Sequence, residues 1–590
     1  MWKLLGISSL AVNYIARFVL PTLEITLFVL FLFLRQSSLL ILFLAFFSLN
    51  IVLYLLSTFK DEIIDTIETN ILRRNDSDTL LLISPSEIRK SSLNNTFSQQ
   101  NWNAAWINTL EQEIGYFSVS DNITDIKDKQ AIIISSSVQN INPTFIKTNV
   151  QEGKTIVIER PQQEIASYFG VNILKKNAAS KKITSKFLEE MPLNCDFDIV
   201  SCKKFKVLMS IDRKPAIIYK RLGKGKLIFI LFDYSKQLVS LQQGVPNDDF
   251  YLKHKYGLIG MIETADMAFD ERLLDNNIPH ADVLESFIIG LLGVPRWGKL
   301  PAGCNSALVI SHDEDYCNEH FLKMIEEEIK AGIKSTFFIT PLKTILDKKL
   351  KFMIKNNIEI GIHWDRFPNE LFFKKKSNKD LLNHIKLSKT QIISSRIHYL
   401  KWNNHYTNTF RLLIKNGIKV DSTYGINFGK GYVFSTSYFF HPIDTNGSLM
   451  HILELPFEIM ENRGDVTLNY IKNLIIDNDA KYHGVLCFNF HPSKYESSVH
   501  IRGKIIELAL KYKILVFTLK EYYNFYNKRL SSSIKTSGNK IFVDSKTKMN
   551  LIIPNNIKEV TLNGRKATLN QMKNLFLVTL DKGKHVVHIK

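Results

Sequence analysis

The sequence predicts a multi-domain α/β protein from three observations: its length, an alternation of apolar strands with amphipathic helices, and ionisable side chains gathered at strand ends. At 590 residues, with 45% apolar and 23% charged side chains, the chain has a globular composition and is too long for one core. After a polar stretch at 60–77 the alternation begins. Strands are expected at 79–84, 131–135 and 154–159 with a helix at 103–114, the mark of a parallel sheet flanked by helices. Strands 216–221 and 226–232 are joined through Leu222-Gly223-Lys224-Gly225. No helix follows these glycines, so they form a hairpin turn and not a phosphate loop.

The third observation centres on Ser306 to Tyr316. Ala307, Leu308, Val309 and Ile310 read as a buried strand that runs directly into His312, Asp313, Glu314 and Asp315. Acids at the carboxyl end of a strand repel one another unless they face a crevice where metal or substrate offsets the repulsion. The alternative is local, since Asp and His also cap helices and populate turns. A helix is expected at 318–330, from the spacing of Phe321, Met324, Ile325 and Ile329, and Gly332 ends it. Then come a strand at 333–340, a helix at 342–356 closed by Asn357, and a strand at 358–362 ending in His363. The stretch 484–490 repeats the pattern and ends in His491-Pro492. Strands thus deliver ionisable groups repeatedly to one edge of a sheet or barrel.

The two ends of the chain differ from this middle. Residues 25–59 are apolar except around Arg35-Gln36-Ser37-Ser38, which predicts spans at 18–34, interrupted by Pro21 and Glu24, and at 39–57. Residues 1–60 are therefore expected to be a membrane anchor of one or two spans. Arg35 in a cytoplasmic loop would place the soluble domains on the extracytoplasmic side, while Lys3 and Arg17 argue for a cytoplasmic N-terminus. Between 526 and 537 the composition turns to Ser and Lys, a linker. Beyond it short strands at 540–543, 549–553, 560–562, 575–579 and 586–589 predict a small β-sandwich at 531–590.

A net charge of +19 suggests an anionic partner, an acidic glycan or phospholipid head groups among them. The lysines are spread over every segment, with short clusters at 348–351 and 374–376 that read as solvated faces, and no nucleic-acid motif accompanies them. Nucleic acid is therefore not an expected partner, and protein partners are not legible. Five cysteines form no Cys-x-x-Cys pair. A bridge between Cys195 and Cys202 stays open, and Cys487, within an apolar run, reads as a small buried hydrophobe.

Two stretches resemble known families. Residues 75–275, through Gly153-Lys154-Thr155-Ile156-Val157-Ile158 and the ending 223–233, resemble class I glutamine-amidotransferase-like (flavodoxin-like) domains. No cysteine stands in a Gly-x-Cys-x-Gly elbow, so the resemblance implies the fold without the activity, and a binding or spacer role for region 61–290. In region 291–530, the ordered motifs Ser311-His312-Asp313-Glu314-Asp315, 335–339, Glu359-Ile360-Gly361-Ile362-His363, Arg396-Ile397-His398-Tyr399, 421–425 and Asn489-Phe490-His491 resemble the polysaccharide deacetylase family of NodB homology, a group of carbohydrate esterases.

That resemblance implies a distorted (β/α) barrel that holds a divalent metal, zinc for preference, and removes acetyl groups from an N-acetylated polysaccharide. A metal bound by a carboxylate and imidazoles polarises the amide carbonyl and acidifies water. A second carboxylate takes the proton, and a histidine protonates the leaving amine. Carried over residue by residue, Asp313 matches the base, Arg396 the arginine that orients it, His491 the general acid and His363 the first metal histidine. Asp315 is assigned as the metal carboxylate, because 313 and 315 project to one side of an extended segment and Glu314 to the other. The family's Thr-Phe-Asp-Asp is altered here, and its His-x-x-x-His is broken, with Phe367 four residues after His363. His398, on the same side as Arg396, is the candidate second imidazole, ahead of His312 and His384. A non-catalytic glycan-binding or assembly scaffold on the same barrel is the alternative. Asp421 is expected to cap a turn, ahead of contacting substrate, Trp364 and Trp402 either to stack on sugars or to fill the core, and His405, His441 and His451 to be structural.

Overall fold

Strands that are apolar without alternation need cover on both faces, and Thr79–Leu82, Ala131–Ile134 and Thr155–Glu159 are buried at every position. The computed structural model describes residues 77–84, 102–180, 182–184, 190–245, 262–315, 319–340, 348–364, 392–402, 406–427, 429–461, 466–554, 559–566, 570–572 and 575–589. The expected anchor at 1–60 lies outside them. Among the described residues no helix is long and apolar enough to cross a membrane.

The first sheet joins five parallel strands in the order Ser118–Ser120, Thr79–Leu82, Ala131–Ile134, Thr155–Glu159 and Gly225–Ile230. Counted along the chain this is 2-1-3-4-5, a doubly wound order. Antiparallel strands Lys214–Leu222 and Lys206–Ile211 extend it. The expected hairpin is present: Leu222 pairs with Gly225, and Gly223 takes the left-handed φ of 56° that its turn requires. Helix Ala105–Glu113 is buried at all nine positions. One apolar cluster runs from it and Tyr234 through Leu284 to Trp364 of the second sheet and to Trp402 and Tyr424 beside it.

The second sheet is wholly parallel. Its strands are β1 (Ala307–Glu314), β2 (Thr336–Ile339), β3 (Glu359–Trp364), β4 (Ser394–Ile397), β5 (Val420–Asp421), β6 (Leu453–Glu454), β7 (Ile459–Met460), β8 (Val485–Phe490) and β9 (Leu515–Phe517). They lie in the order β6-β5-β4-β3-β2-β1-β8-β7, with β9 also against β1. No pairing joins β6 to β7 among the described residues, so the sheet curls into an open half-barrel. Asn357, at φ 55°, closes the helix before β3 as its position suggested.

At the C-terminal end the sequence expectation needs correction. The stretch expected as a linker at 526–537 is the end of helix Leu519–Leu530 and the strand Ser533–Ser537. Tyr526 and Leu530 are buried there, so the Ser and Lys side chains cover structure instead of spacing it. The terminal strands form two antiparallel sheets, and one recruits Arg296–Pro301, from before the barrel, against Met549–Pro554. Cys195 and Cys202 are both free, as are Cys304 and Cys487, so no bridge links the first pair; Cys487 is fully buried on β8.

Candidate active site

Alternation along β1 sends Ser311 and Asp313 into the half-barrel and His312 to the other face. His312 is fully buried there against Phe337, with ring centroids 4.2 Å apart, and its Nε2 meets Glu328 Oε1 at 2.8 Å. It therefore faces away from the other site candidates. Asp313 stands opposite Phe338 of β2, which stands opposite Gly361 of β3. Glycine is required at 361, because a Cβ would lie 2.5 Å from Phe338 Cδ1 and 2.9 Å from Ser394 Oγ. The Phe338 ring then supports the Arg396 guanidinium from 4.5 Å, with Phe457 at 5.0 Å.

Arg396 is fully buried and hydrogen-bonded throughout. It donates to Ser422 O at 2.6 Å, Ser422 Oγ at 2.8 Å, Ser311 Oγ at 2.8 Å and Asp313 Oδ1 at 3.1 Å. Asn489 Nδ2 donates to the other carboxylate oxygen, Oδ2, at 2.6 Å. Burial alone would raise the Asp313 carboxyl, but Arg396, His363, His491 and the Asn489 hydrogen bond together pull it down to about 2. Asp313 is thus held ionised and fixed in direction.

Asp315, His363 and His398 place one ligand atom each within 4.8 Å of the others. His363 Nε2 and His398 Nε2 lie 3.1 Å and 3.4 Å from Asp315 Oδ1. These separations match the edge, about 3.4 Å, of a tetrahedron with bonds near 2.1 Å. The tautomer points the same way. His363 Nδ1 meets the Arg396 carbonyl oxygen at 3.2 Å, and a carbonyl only accepts, so Nδ1 carries the hydrogen and Nε2 a lone pair. Buried His363 Nε2 and Asp315 Oδ1 have no hydrogen-bond partner among the described residues. Two acceptors facing each other at 3.1 Å need a cation or a shared proton between them. The residues present therefore fit a divalent metal.

Across the cleft His491 Nε2 is 3.8 Å from Asp313 Oδ2 and 3.9 Å from Asp315 Oδ2. Its Nδ1 and its backbone N–H both meet Glu461 Oε2, at 2.9 Å and 2.8 Å. Burial disfavours the imidazolium, but Glu461, with Asp313 and Asp315 behind it, raises it to about 9. The cleft has a volume of about 280 Å³, and its wall includes Tyr399, Asn427, Met460, Ser493 and Lys494 beside the ionisable groups.

The six residues singled out in the sequence thus converge. Positions 367 and 384 lie outside the described residues, as does 405. Asp421 does not cap a turn: it is buried on β5 and accepts from Ser395 Oγ at 2.7 Å. Trp364 and Trp402 are buried in the core and leave no face for a sugar. Glu461 and Asn427 stand in none of the sequence motifs, and Asn489 and Ser422 stand in them without an assigned role. Asn489 had a signal, two strand positions before His491 on the same face. Glu461 had none, following a two-residue strand with φ 33°.

Residues 310–499 match the family model described as WbmS-like, polysaccharide deacetylase. This stretch is similar to a polysaccharide deacetylase domain. It begins inside β1 and takes in Asp313, Asp315, His363, Arg396, His398 and His491. Among solved structures, a protein from Mycobacterium smegmatis assigned as a polysaccharide deacetylase is 12% identical, with 39% of this chain and 93% of that one covered at a TM-score of 0.28. One from Bordetella bronchiseptica, assigned as a polysaccharide deacetylase involved in O-antigen biosynthesis, is 16% identical over 34% of this chain and 80% of that one, at 0.22. A β-galactosidase from Bacillus circulans sp. alkalophilus is 12% identical over 28% of this chain, at 0.22, and the chain spans only 30% of its length. No curated protein matches.

Proposed function

We propose that the chain is a metal-dependent N-deacetylase acting on an N-acetylated polysaccharide or cell-envelope glycan. The observation that carries this reading is the pair of buried acceptors, His363 Nε2 and Asp315 Oδ1, facing each other at 3.1 Å beside an ionised Asp313. Asp315, His363 and His398 would hold the metal, for which zinc suits a set of one carboxylate and two imidazoles. When bound it supplies Lewis-acid polarisation of the acetamide carbonyl and acidifies a water. Asp313 takes the proton from the attacking water, its carboxylate kept in place by Arg396 and Asn489. His491 then gives its proton to the departing amine, and Glu461 stabilises the imidazolium from behind. The scaffold alternative drew on the missing imidazole at 367; His398 supplies a second imidazole beside His363.

Region 61–290 reads as a flavodoxin-like, amidotransferase-like domain without its own chemistry, and the 2-1-3-4-5 strand order supports this. The apolar run at 25–59 supports anchoring in a membrane, and Arg35 in a cytoplasmic loop would place the catalytic part outside the cytoplasm. The test of the activity is direct. Asp313→Asn is expected to lower the rate on N-acetylglucosamine oligomers about 100-fold or more while retaining zinc, and His363→Ala is expected to lose stoichiometric zinc by metal analysis. Wild-type protein that takes up no divalent metal, or Asp313→Asn protein with an undiminished rate, would sink the reading.

A further inference from the structure

The deacetylase-like match begins at residue 310, yet one wall of the cleft is held from further upstream. Ile262–Glu263 pairs antiparallel with Lys401–Trp402, immediately after the turn of His398, Tyr399 and Leu400. The single turn Thr264–Met267 follows it. From this strap Thr264 Oγ1 donates to the Gly425 carbonyl at 3.0 Å and accepts from its N–H at 3.3 Å. Glu263 is fully buried, and its Oε1 accepts the Asn427 backbone N–H at 2.6 Å. Asn427 lines the cleft, and its Nδ2 donates to the Tyr399 carbonyl at 3.1 Å. The Tyr399 ring in turn stacks on His398, centroids 3.9 Å apart.

The turn at the end of this relay needs a clamp. Tyr399 and Leu400 have φ of 59° and 51°, two successive non-glycine residues in the left-handed region. That conformation is costly for a residue with a Cβ and persists only where the surroundings over-determine it. Here those surroundings are the strap's pairing at 401–402 and the Asn427 hydrogen bond. We propose that residues 262–267, upstream of the deacetylase-like match, are a working part of the catalytic cleft, in which Glu263 acts through Asn427 as a positioning residue for the Tyr399 turn and for His398. The proposal rests on the deacetylase reading for its kinetic consequence.

The experiment compares Glu263→Ala, Glu263→Gln and Asn427→Ala in the full chain by zinc affinity in chelator competition, KM and kcat on N-acetylglucosamine oligomers, and hydrogen exchange at 396–402. Glu263→Ala is expected to weaken zinc about tenfold or more, to raise KM, and to speed exchange at 396–402 while β1 keeps its protection. Glu263→Gln keeps a carbonyl acceptor and is expected to restore most of each. A folded Glu263→Ala protein unchanged in all three readings overturns the proposal. Should that variant fail to fold, Asn427→Ala removes only the bond to Tyr399, and the same three readings decide. If wild-type protein neither binds zinc nor deacetylates, but exchange at 396–402 still rises in the variants, the deacetylase reading falls and the positioning role stands.

Discussion

His491 and Asp313 sit 3.8 Å apart in the same cleft and are shifted in opposite directions, each towards its charged form. Burial works against the charged form of each, and the outcome is decided by which neighbour carries the stronger opposing charge. For Asp313 it is Arg396, and for His491 it is Glu461. Burial and the neighbouring Asp421 push Glu454 well above the carboxylate range. The sign for His491 follows from its raised value. Its imidazolium is present below the free-histidine value of 6.5 and is lost as pH climbs through about 9. A general acid must be protonated, so the rate profile is expected to fall on the alkaline side near 9. Glu461→Gln removes the largest opposing charge and leaves only Asp313 and Asp315 against burial, moving that limb to lower pH. An alkaline limb indifferent to Glu461→Gln would remove His491 from the acid's role.

Among elements, β1 to β4 act as a ruler. Parallel register sets His363 opposite Arg396, and Asp313 opposite Phe338 and then Gly361. The sequence expresses this through period-two alternation, which is why Asp313 and Asp315 could be separated from Glu314 before any fold was known. The turn after β4 was not legible: nothing in Arg396-Ile397-His398-Tyr399 announces two left-handed residues that no glycine occupies. Gly361 gives the element-scale test. Gly361→Ala drives a methyl into Phe338 and Ser394, with an expected loss of about 1–3 kcal/mol in urea denaturation and a lower rate as Phe338 shifts beneath Arg396. Unchanged stability would mean that the packing between β2 and β3 is looser than these contacts imply.

At the scale of the molecule, residues 72–590 form one compact unit, and its parts share cores. Arg529, fully buried at the end of helix Leu519–Leu530, donates to the carbonyls of Glu111 and Gln112 at the end of helix Ala105–Glu113, and to those of Trp297 and Gly298. Helix carbonyls at a buried C-terminus need such donors. Calorimetry on residues 72–590 is therefore expected to give one unfolding transition, lowered by Arg529→Ala by about 3 kcal/mol or more. A fragment of residues 300–525 is expected to show no cooperative transition. Two separate transitions, or a stable fragment, would show that the shared cores do not couple the parts.

The sequence by itself determined the α/β class, the strands that end in acids and imidazoles, and the side of each strand on which those groups stand. Those properties follow from hydrophobic period and alternation, which are local. Tertiary structure decided the rest: that His398 comes beside His363, that Glu461 rather than a neighbour in sequence charges His491, that Asp421 is a buried strand residue, and that Arg296–Pro301 belongs with the C-terminal sheets. Each depends on which distant segments share a buried space. Electrostatic partnership acts over a few ångströms in three dimensions, and no local period along the chain records it.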